Sequence, residues 1–146
     1  MDAIKSLIHD HEEVASMFSK FEALTDETDR AVAAEKICHA LSVHTIIEEE
    51  IFYPDARRII DRINPDMLDE AIDEHQEAKS LIAEIKTMVT GEDLTIIMKE
   101  LKAVIERHVE EEEDEMFPLL RKMGMETTKL GIEMSRRKLE LKSTVK

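Results

Sequence analysis

The sequence predicts an all-α protein, an antiparallel up-down-up-down four-helix bundle followed by a short C-terminal fifth helix. Three observations predict this fold class. Apolar residues recur at helical spacing along almost the whole chain of 146 residues. The composition favours helix over sheet, because the chain has three Gly, three Pro and no Trp and is rich in Ala, Glu, Lys, Leu, Ile and Met. Short polar turns separate the apolar stretches, which is typical of helical bundles.

A polar turn and a proline predict the boundaries and shape of the first two helices. The first helix is predicted from about Asp2 to Leu24, and the polar turn 25–29 supplies capping oxygens for the second. We expect the second helix to continue to about Ile63 and to bend, rather than end, at Pro54, because the apolar period resumes beyond that residue.

The boundaries of the remaining helices are predicted from similar capping and helix-breaking residues. Asn64 is predicted to cap a third helix that starts at Pro65 and runs to about Thr90, where Gly91 stops it. The fourth and fifth helices are predicted from about Asp93 to Met123–Gly124, with Pro118 matching Pro54, and from Glu126 to about Lys142. Residues 1–124 are therefore expected to form the bundle, and residues 125–146 a basic helix packed on it or beside it.

The charge is strongly negative and unevenly spread. The net charge is −14, with −19 in residues 1–120 and +5 in residues 121–146. A body this acidic repels nucleic-acid phosphates and anionic lipid, so neither is expected as a partner. The basic residues of the tail are expected to lie against the acidic bundle, with docking onto an acidic partner as the alternative. These residues are Arg136, Arg137, Lys138, Lys142 and Lys146.

Cysteine usage and hydropathy indicate the compartment. The single Cys38 excludes an internal disulfide, as expected in a reducing environment. The first residues do not have the pattern of a secretory leader, and no apolar run approaches the length of a membrane span. We therefore expect a cytoplasmic protein without membrane association, as a monomer or weak dimer.

One pattern of histidines and glutamates occurs twice. His11 and His44 are separated by 33 residues, and so are His75 and His108. A constant offset of 64 residues superimposes the two halves. The matched positions are Asp10 and Glu74, His11 and His75, His44 and His108, Glu48 and Glu112, and Pro54 and Pro118.

Helical spacing directs these side chains into the apolar core. Residues four apart share one helix face, so His44 and Glu48 point the same way, as do His108 and Glu112. Apolar neighbours flank all four histidines, and no Lys or Arg lies one turn away to pair with the glutamates. Buried carboxylates are costly unless they are paired or bound to metal. The pattern predicts a two-metal site, with a purely structural polar core as the alternative, and its ligands are His11, His44, Glu48, His75, His108 and Glu112.

The donor set favours iron. Six ligands exceed the number in a closed tetrahedral zinc site. If both glutamates bridge, each metal receives two imidazoles and two carboxylate oxygens, with positions left for a bridge from solvent and an external ligand. We therefore expect two Fe ions with an oxide or hydroxide bridge, binding a small diatomic molecule or peroxide. Manganese or zinc would fit the same donors.

Other polar residues near the pattern are given secondary roles. Glu13 and Glu77 are expected to accept hydrogen bonds from the histidine ligands. Tyr53 either lines the site and donates to a bound ligand or only packs there. Four acidic residues are expected on a solvated face: Glu49, Glu50, Glu113 and Asp114.

Three further candidates are predicted to lie outside the site. His9 has polar neighbours on its helix face and is expected to face water. His39 lies five residues before His44, on a different side of the helix, and is expected at a surface or interface. Cys38 is expected as an unreactive core residue.

Together these motifs resemble the hemerythrin-like, or HHE cation-binding, domain family. The resemblance is carried by Asp10-His11, His44-x3-Glu48-Glu49 ending in Tyr53-Pro54, Glu74-His75, and His108-x3-Glu112-Glu113 ending in Phe117-Pro118. It covers residues 1–124 and reaches Leu130-Gly131 in the tail. The resemblance implies an antiparallel four-helix bundle with a non-haem di-iron centre held by the same six ligands.

The chain departs from the oxygen-carrying members of the family at two positions. Those proteins have a second histidine one turn after the third-helix histidine, where this chain has Lys79. They also have an aspartate five residues past the fourth-helix histidine, where this chain has Glu112 at four residues and Glu113 at five. The departures imply a more symmetric site. Lys79 either points to solvent or lies over the site as a proton donor to bound peroxide or nitrosyl.

Three functional hypotheses follow. The leading one is a di-iron protein that binds or reacts with O2, NO or peroxide in stress sensing or detoxification, with or without slow peroxidase-type turnover. The second is a non-catalytic, iron-responsive or iron-donating module whose folding depends on metal. The third is an interaction bundle without metal.

Overall fold

The structure, a computed structural model that describes residues 1–88 and 92–144, is entirely helical across these residues. It confirms the predicted antiparallel four-helix bundle with a C-terminal fifth helix. The helices are α1, Ala3–Ala23; α2, Glu27–Ile47 continuing through a π-helical turn, Glu48–Phe52, into Tyr53–Ile60; α3, Asp66–Thr87; α4, Glu92–Glu111 continuing through a second π-helical turn, Glu112–Met116, into Phe117–Lys122; and α5, Thr128–Thr144.

Local capping chemistry explains where several helices begin and end. The Asp2 side chain accepts a hydrogen bond from the Lys5 amide at 3.0 Å. Asp26, in the predicted polar turn, caps α2 through the Asp29 amide at 2.9 Å. Gly124, with φ +76°, follows α4 in the left-handed conformation that glycine adopts without strain.

The boundaries of α2 and α3 differ from the predicted ones by a few residues. α2 ends at Ile60 rather than Ile63, because the Ile60 carbonyl accepts from both the Ile63 amide at 2.9 Å and the Asn64 amide at 2.8 Å in a tight turn. α3 begins at Asp66, one residue after Pro65, and the Asn64 side chain accepts from the Asp66 amide at 3.3 Å. α3 ends at Thr87, while the predicted stop at Thr90 and Gly91 lies outside the described residues.

The apolar core has two parts, separated by a layer of polar side chains. The Phe52 cluster occupies one end of the bundle, and its large members include Leu7, Ile47, Phe52, Tyr53, Ile60, Leu68, Met116, Phe117 and Leu120. The Phe18 cluster occupies the other end, with Val14, Phe18, Phe21, Ile37, Leu41, Ile82, Leu94, Met98 and Leu101. Any polar group between the two clusters is therefore shielded from solvent.

α5 is packed onto the bundle rather than extended from it. It contacts α1 and α2, and it contributes Leu130, Met134 and Leu141 to the Phe52 cluster. Arg137 pairs with Glu50 at 2.9 Å and Lys138 with Asp10 at 2.6 Å, so these two cations of the basic tail lie against acidic residues of the bundle. Lys146 lies outside the described residues. Within the described ranges no helix is both long enough and apolar enough to cross a membrane.

Gly131 allows α5 to approach the N-terminal segment closely. A Cβ atom at this position would meet the Met1 carbonyl oxygen, the Ala3 nitrogen at 2.9 Å and the Asp2 carbonyl carbon at 3.0 Å. All three are backbone atoms, and the Ala3 amide is fixed by its hydrogen bond to the Thr127 carbonyl at 2.9 Å. A side chain at residue 131 would therefore push α5 away from α1.

Gly131→Ala should destabilise the protein although alanine favours helix formation. The propensity gain of up to ~1 kcal/mol is outweighed by a clash with backbone that cannot rotate away, so we expect a net loss of about 1–3 kcal/mol. Thermal unfolding followed by circular dichroism measures this loss. Ser135→Ala, at an exposed position one turn later, is the matched control and should change little. A melting temperature for Gly131→Ala equal to or above that of the parent would contradict the packing described here.

Candidate metal centre

All six predicted ligand residues meet in the polar layer between the two apolar clusters. α1 carries His11, α2 carries His44 and Glu48, α3 carries His75, and α4 carries His108 and Glu112. All six are buried, and the two glutamates are the most enclosed, with 0% and 1% of their surface exposed. The convergence expected from sequence is therefore present, while the role of these residues as ligands stays a prediction.

The six residues form two groups that share both glutamates. In the first group, the His11 Nε2 lies 3.2 Å from Glu112 Oε1 and the His44 Nε2 lies 3.3 Å from Glu48 Oε1. In the second group, the His75 Nε2 lies 3.0 Å from Glu48 Oε1 and the His108 Nε2 lies 3.3 Å from Glu112 Oε2. Glu112 contacts one histidine of each group, and Glu48 contacts His44 of the first group and both histidines of the second. The layer therefore offers two adjacent positions for a cation.

Four buried atoms of this layer have no hydrogen-bond partner among residues 1–88 and 92–144. They are His11 Nε2, His44 Nε2, Glu48 Oε2 and Glu112 Oε1. A buried polar atom left without a partner costs about 1–3 kcal/mol, so such atoms are rare in a folded protein. The donor atoms of His11, His44, Glu48 and Glu112 also lie within 4.8 Å of one another, as ligands of one ion do. The residues present fit a metal cation.

The second nitrogen of each ligand histidine donates to a carboxylate on another helix. The His44 Nδ1 lies 3.0 Å from Asp10, and the His75 Nδ1 lies 2.7 Å from Glu49. The His108 Nδ1 lies 2.9 Å from Glu74, and the His11 Nδ1 lies 2.6 Å from Glu113. These bonds place a proton on Nδ1 and direct the Nε2 atom into the layer, the orientation that metal binding needs.

The sequence-based choice of these carboxylates was wrong. Glu13 instead pairs with the exposed His9 at 3.4 Å, and Glu77 pairs with Arg107 at 3.1 Å. Glu49 and Glu113, expected on a solvated face, are half-buried acceptors of histidine protons. The sequence repeat could have identified the correct carboxylates, because Asp10 matches Glu74 and Glu49 matches Glu113 at the 64-residue offset.

π-helical turns explain how two residues five apart in the repeated phrase both face inward. In α2 the Tyr53 amide donates to the Glu48 carbonyl, and in α4 the Phe117 amide donates to the Glu112 carbonyl, five residues back in each case. A π-helical turn places residues five apart on the same face. Glu48 and Tyr53 therefore both point into the core. The sequence predicted that the helix bends rather than ends at Pro54. The helix does continue beyond this proline, and the π-helical turn lies directly before it.

Tyr53 makes the two groups chemically different. Its hydroxyl donates to Glu112 Oε2 at 2.6 Å, and it lies 3.2 Å from both Glu48 Oε1 and the His75 Nε2. Burial, together with the charges of Glu112 and Glu48, raises the pKa of Tyr53 well above its usual value, so the hydroxyl remains a donor. The matching residue, Phe117, stacks on His11 with ring centroids 6.1 Å apart and offers no hydroxyl.

Protonation fills the role of a cation when no metal is bound. Burial by itself would lower the pKa of His44, but the charge of Glu48 and the hydrogen bond to Asp10 outweigh it and raise this pKa to about 10. Burial likewise opposes ionisation of Glu48, yet the charge of His44 holds the pKa of Glu48 well below its usual range. Metal binding must therefore displace a proton from this pair.

Lys79 does not lie over the site. Its ammonium group is exposed and pairs with Glu49 at 2.9 Å, so the hypothesis that it points to solvent is confirmed and that of a proton donor over the site is wrong. His9 is exposed and His39 is half-buried, as expected. Cys38 is buried in the Phe18 cluster, and burial raises the pKa of its thiol to about 11, which agrees with an unreactive core residue.

A small internal cavity adjoins all four histidines. Its volume is about 20 Å³, and its apolar walls include Val14, Leu41, Ala78 and Ile105. A groove of about 490 Å³ between α1 and α4 shares Val14 and Ile105 with this cavity and reaches His11 from the surface. The space beside the layer admits about one water-sized molecule.

The sequence matches the profile of a known domain, described as Hemerythrin HHE cation binding domain, over residues 2–120. The chain belongs to the hemerythrin HHE cation-binding domain family. No curated protein matches it significantly. A similar solved structure is that of a hemerythrin HHE cation-binding domain-containing protein from Mycobacterium kansasii, with a TM-score of 0.81 and 19% identity, covering 99% of this chain and 89% of the other. At this identity the likeness shows the fold alone.

In this HHE domain, the carboxylates that hold the histidines should matter for metal affinity. Glu74→Gln removes the charged acceptor of the His108 proton and should weaken metal binding about 10- to 100-fold. Glu77→Gln is the matched control, because Arg107 contacts both glutamates but Glu77 reaches no histidine ligand. Competition with a chelator of known affinity measures the difference. Equal losses in the two variants would show that the ion pair with Arg107, rather than the bond to His108, is responsible.

Proposed function

We propose that this protein holds two iron ions in the polar layer and binds or reacts with O2, NO or peroxide there, in stress sensing or detoxification. One ion would be held by His11 and His44 and the other by His75 and His108. Glu48 and Glu112, which contact histidines of both groups, would serve both ions. The observation that carries the proposal is the pair of buried donor groups, one with His11 and His44 and the other with His75 and His108, which share Glu48. The first group also contains the four buried donor atoms that have no partner among the described residues.

The donor set supports iron and an external ligand. Each group offers two imidazoles and carboxylate oxygens, so coordination positions remain for a ligand from outside. Iron in such surroundings supplies one-electron chemistry and binds O2, NO and peroxide. Manganese and zinc fit the same donors, so metal identity is part of the test.

The cavity supports a small ligand over an organic substrate. With a volume of about 20 Å³ beside the four histidines, it has room for about one water-sized molecule, which favours a very small ligand and excludes an organic substrate. The two apolar clusters around the layer keep bulk water out, which strengthens electrostatic interactions inside.

Tyr53 is the residue best placed to interact with such a ligand. Its hydroxyl is protonated and buried, and it already lies 2.6 Å from Glu112 Oε2. A ligand beside the second group would accept from this hydroxyl, whereas Phe117 offers only a ring face beside the first group. Lys79 is excluded from this role, because its ammonium group lies on the surface with Glu49.

Anaerobic reconstitution followed by rapid mixing tests the proposal. The iron-loaded protein should contain about two irons per chain, and its visible spectrum should change on mixing the diferrous form with NO or peroxide. Tyr53→Phe should keep both irons yet release NO roughly 2- to 10-fold faster, because one hydrogen bond to a polar ligand, worth about 0.5–1.5 kcal/mol, is lost. His9→Gln is the control and should behave as the parent. A metal content of one zinc per chain or of no metal, or an unchanged visible spectrum on mixing, would refute the proposal.

A second candidate function is an iron-responsive or iron-donating module without catalysis. It is favoured by the burial of Glu48 and Glu112 together with the four histidines. Without a metal ion to neutralise the two carboxylates, this buried polar layer should destabilise the fold. In this case the signal is the folded state itself rather than a bound gas.

Thermal melts with and without ferrous iron check this second candidate. At iron concentrations about 100-fold above Kd the linkage gives about 2.7 kcal/mol of stabilisation, which corresponds to a rise of roughly 5–10 °C in Tm. The double variant Glu48→Gln with Glu112→Gln should show no rise with iron, because two of the predicted ligands are gone. An unchanged Tm of the parent protein on addition of iron would contradict a function in which folding depends on metal.

A further inference from the structure

The C-terminal helix reaches the metal centre although it lies outside the part of the chain that matches the family. The family match ends at residue 120, and α5 spans Thr128–Thr144. Lys138 on α5 places its ammonium group 2.6 Å from Asp10 Oδ1, and the other oxygen of the same carboxylate accepts the His44 Nδ1 proton at 3.0 Å. One side chain, Asp10, thus separates the lysine from a predicted metal ligand.

A docking salt bridge is the simpler explanation, and the neighbouring residue shows what such a bridge looks like. Arg137 contacts both oxygens of Glu50 at 2.9 and 3.3 Å, and Glu50 contacts no histidine. This pair lies on the surface and fastens α5 to α2. Lys138 differs because Asp10 is only 9% exposed at its side chain and divides its two oxygens between the lysine and His44.

The other three histidine–carboxylate pairs show how distinct this arrangement is. Glu49 and Glu74 also carry an outer cation, Lys79 and Arg107, but both cations belong to the bundle and their side chains are 43% and 50% exposed. Lys138, at 26%, is the least exposed of the three. Within residues 1–88 and 92–144, no lysine or arginine forms an ion pair with Glu113, the acceptor of the His11 proton. The two histidines of the first group are therefore held by different electrostatic surroundings.

A cation on the outer oxygen of a carboxylate has two effects on the imidazole at the other oxygen. It fixes the orientation of the carboxylate, so the hydrogen bond to His44 keeps its direction. It also draws electron density from the carboxylate and makes it a weaker acceptor, so His44 becomes a weaker electron donor to a metal ion. Because Asp10 is largely buried, solvent screens these effects only in part.

We propose that Lys138 is a positioning residue of the metal centre, which through Asp10 orients His44 and limits its electron donation, so that the docked C-terminal helix sets the reduction potential of the first group. The proposal deepens the proposed function and, where iron is concerned, rests on it. Loss of the lysine charge makes Asp10 a stronger acceptor and His44 a stronger donor, which stabilises the ferric state and moves the potential to more negative values.

Three variants of the full-length chain separate positioning from docking. Lys138→Met removes the charge and keeps most of the aliphatic stem, and Lys138→Arg restores the charge. Arg137→Met removes the docking pair with Glu50 and the contact with Glu140, and it leaves Asp10 untouched. In the iron-loaded protein the midpoint potential should fall in Lys138→Met, return towards the parent value in Lys138→Arg and remain unchanged in Arg137→Met. Thermal melts of all three report the loss of docking separately.

A measurement without metal keeps this proposal distinguishable from the proposed function. In the metal-free protein labelled with 15N at histidine, the His44 Nδ1–H proton resonance should move downfield in Lys138→Met, because its hydrogen bond to Asp10 strengthens. It should keep its position in Arg137→Met. Equal shifts in these two variants, or no shift in Lys138→Met, would overturn the positioning role whether or not the parent binds iron. A parent that binds no iron but shows the shift only in Lys138→Met would refute the proposed function and leave the coupling standing.

Discussion

Two carboxylates buried at the centre of a helical bundle are the constraint on which the rest of the structure depends. Glu48 and Glu112 are shielded by an apolar cluster on each side, and no lysine or arginine pairs with them in the described part of the chain. Removing such ions from water costs several kcal/mol each, which only close partners can offset. The four imidazoles and the Tyr53 hydroxyl are those partners, and a metal ion would satisfy the donor atoms that still lack one.

The same requirement extends outward from the centre. An imidazole that must present a lone pair on one nitrogen needs an acceptor for the proton on the other, and Asp10, Glu49, Glu74 and Glu113 provide it. Three of these carboxylates are then held by cations near the surface. The strongly acidic composition is thus partly explained by the centre, since every ligand histidine is accompanied by an acidic residue that accepts its proton.

The residues of the centre could be predicted from sequence because they obey simple spacing. His44 and Glu48, four apart in a helix, share a face, and the 64-residue offset repeats the arrangement in the second half. The π-helical turns could not be predicted this way, because a single widened turn leaves no mark on a pattern read at 3.6 residues. Glu49 and Glu113 were predicted to face solvent because, in a regular helix, they point away from the ligands. The arrangement of the four helices around the layer brings each of them to a histidine of another helix.

Those four hydrogen bonds run around the bundle in one direction. Asp10 on α1 holds a histidine of α2, Glu49 on α2 holds one of α3, Glu74 on α3 holds one of α4, and Glu113 on α4 holds one of α1. Each half of the chain therefore contains one bond within itself and gives one bond to the other half. This is the bonding of a twofold-symmetric dimer, in which each copy offers the same donor and acceptor to its partner. Residues 1–128 thus have the approximate twofold arrangement of two similar 64-residue halves joined end to end, and neither half closes the ring without the other.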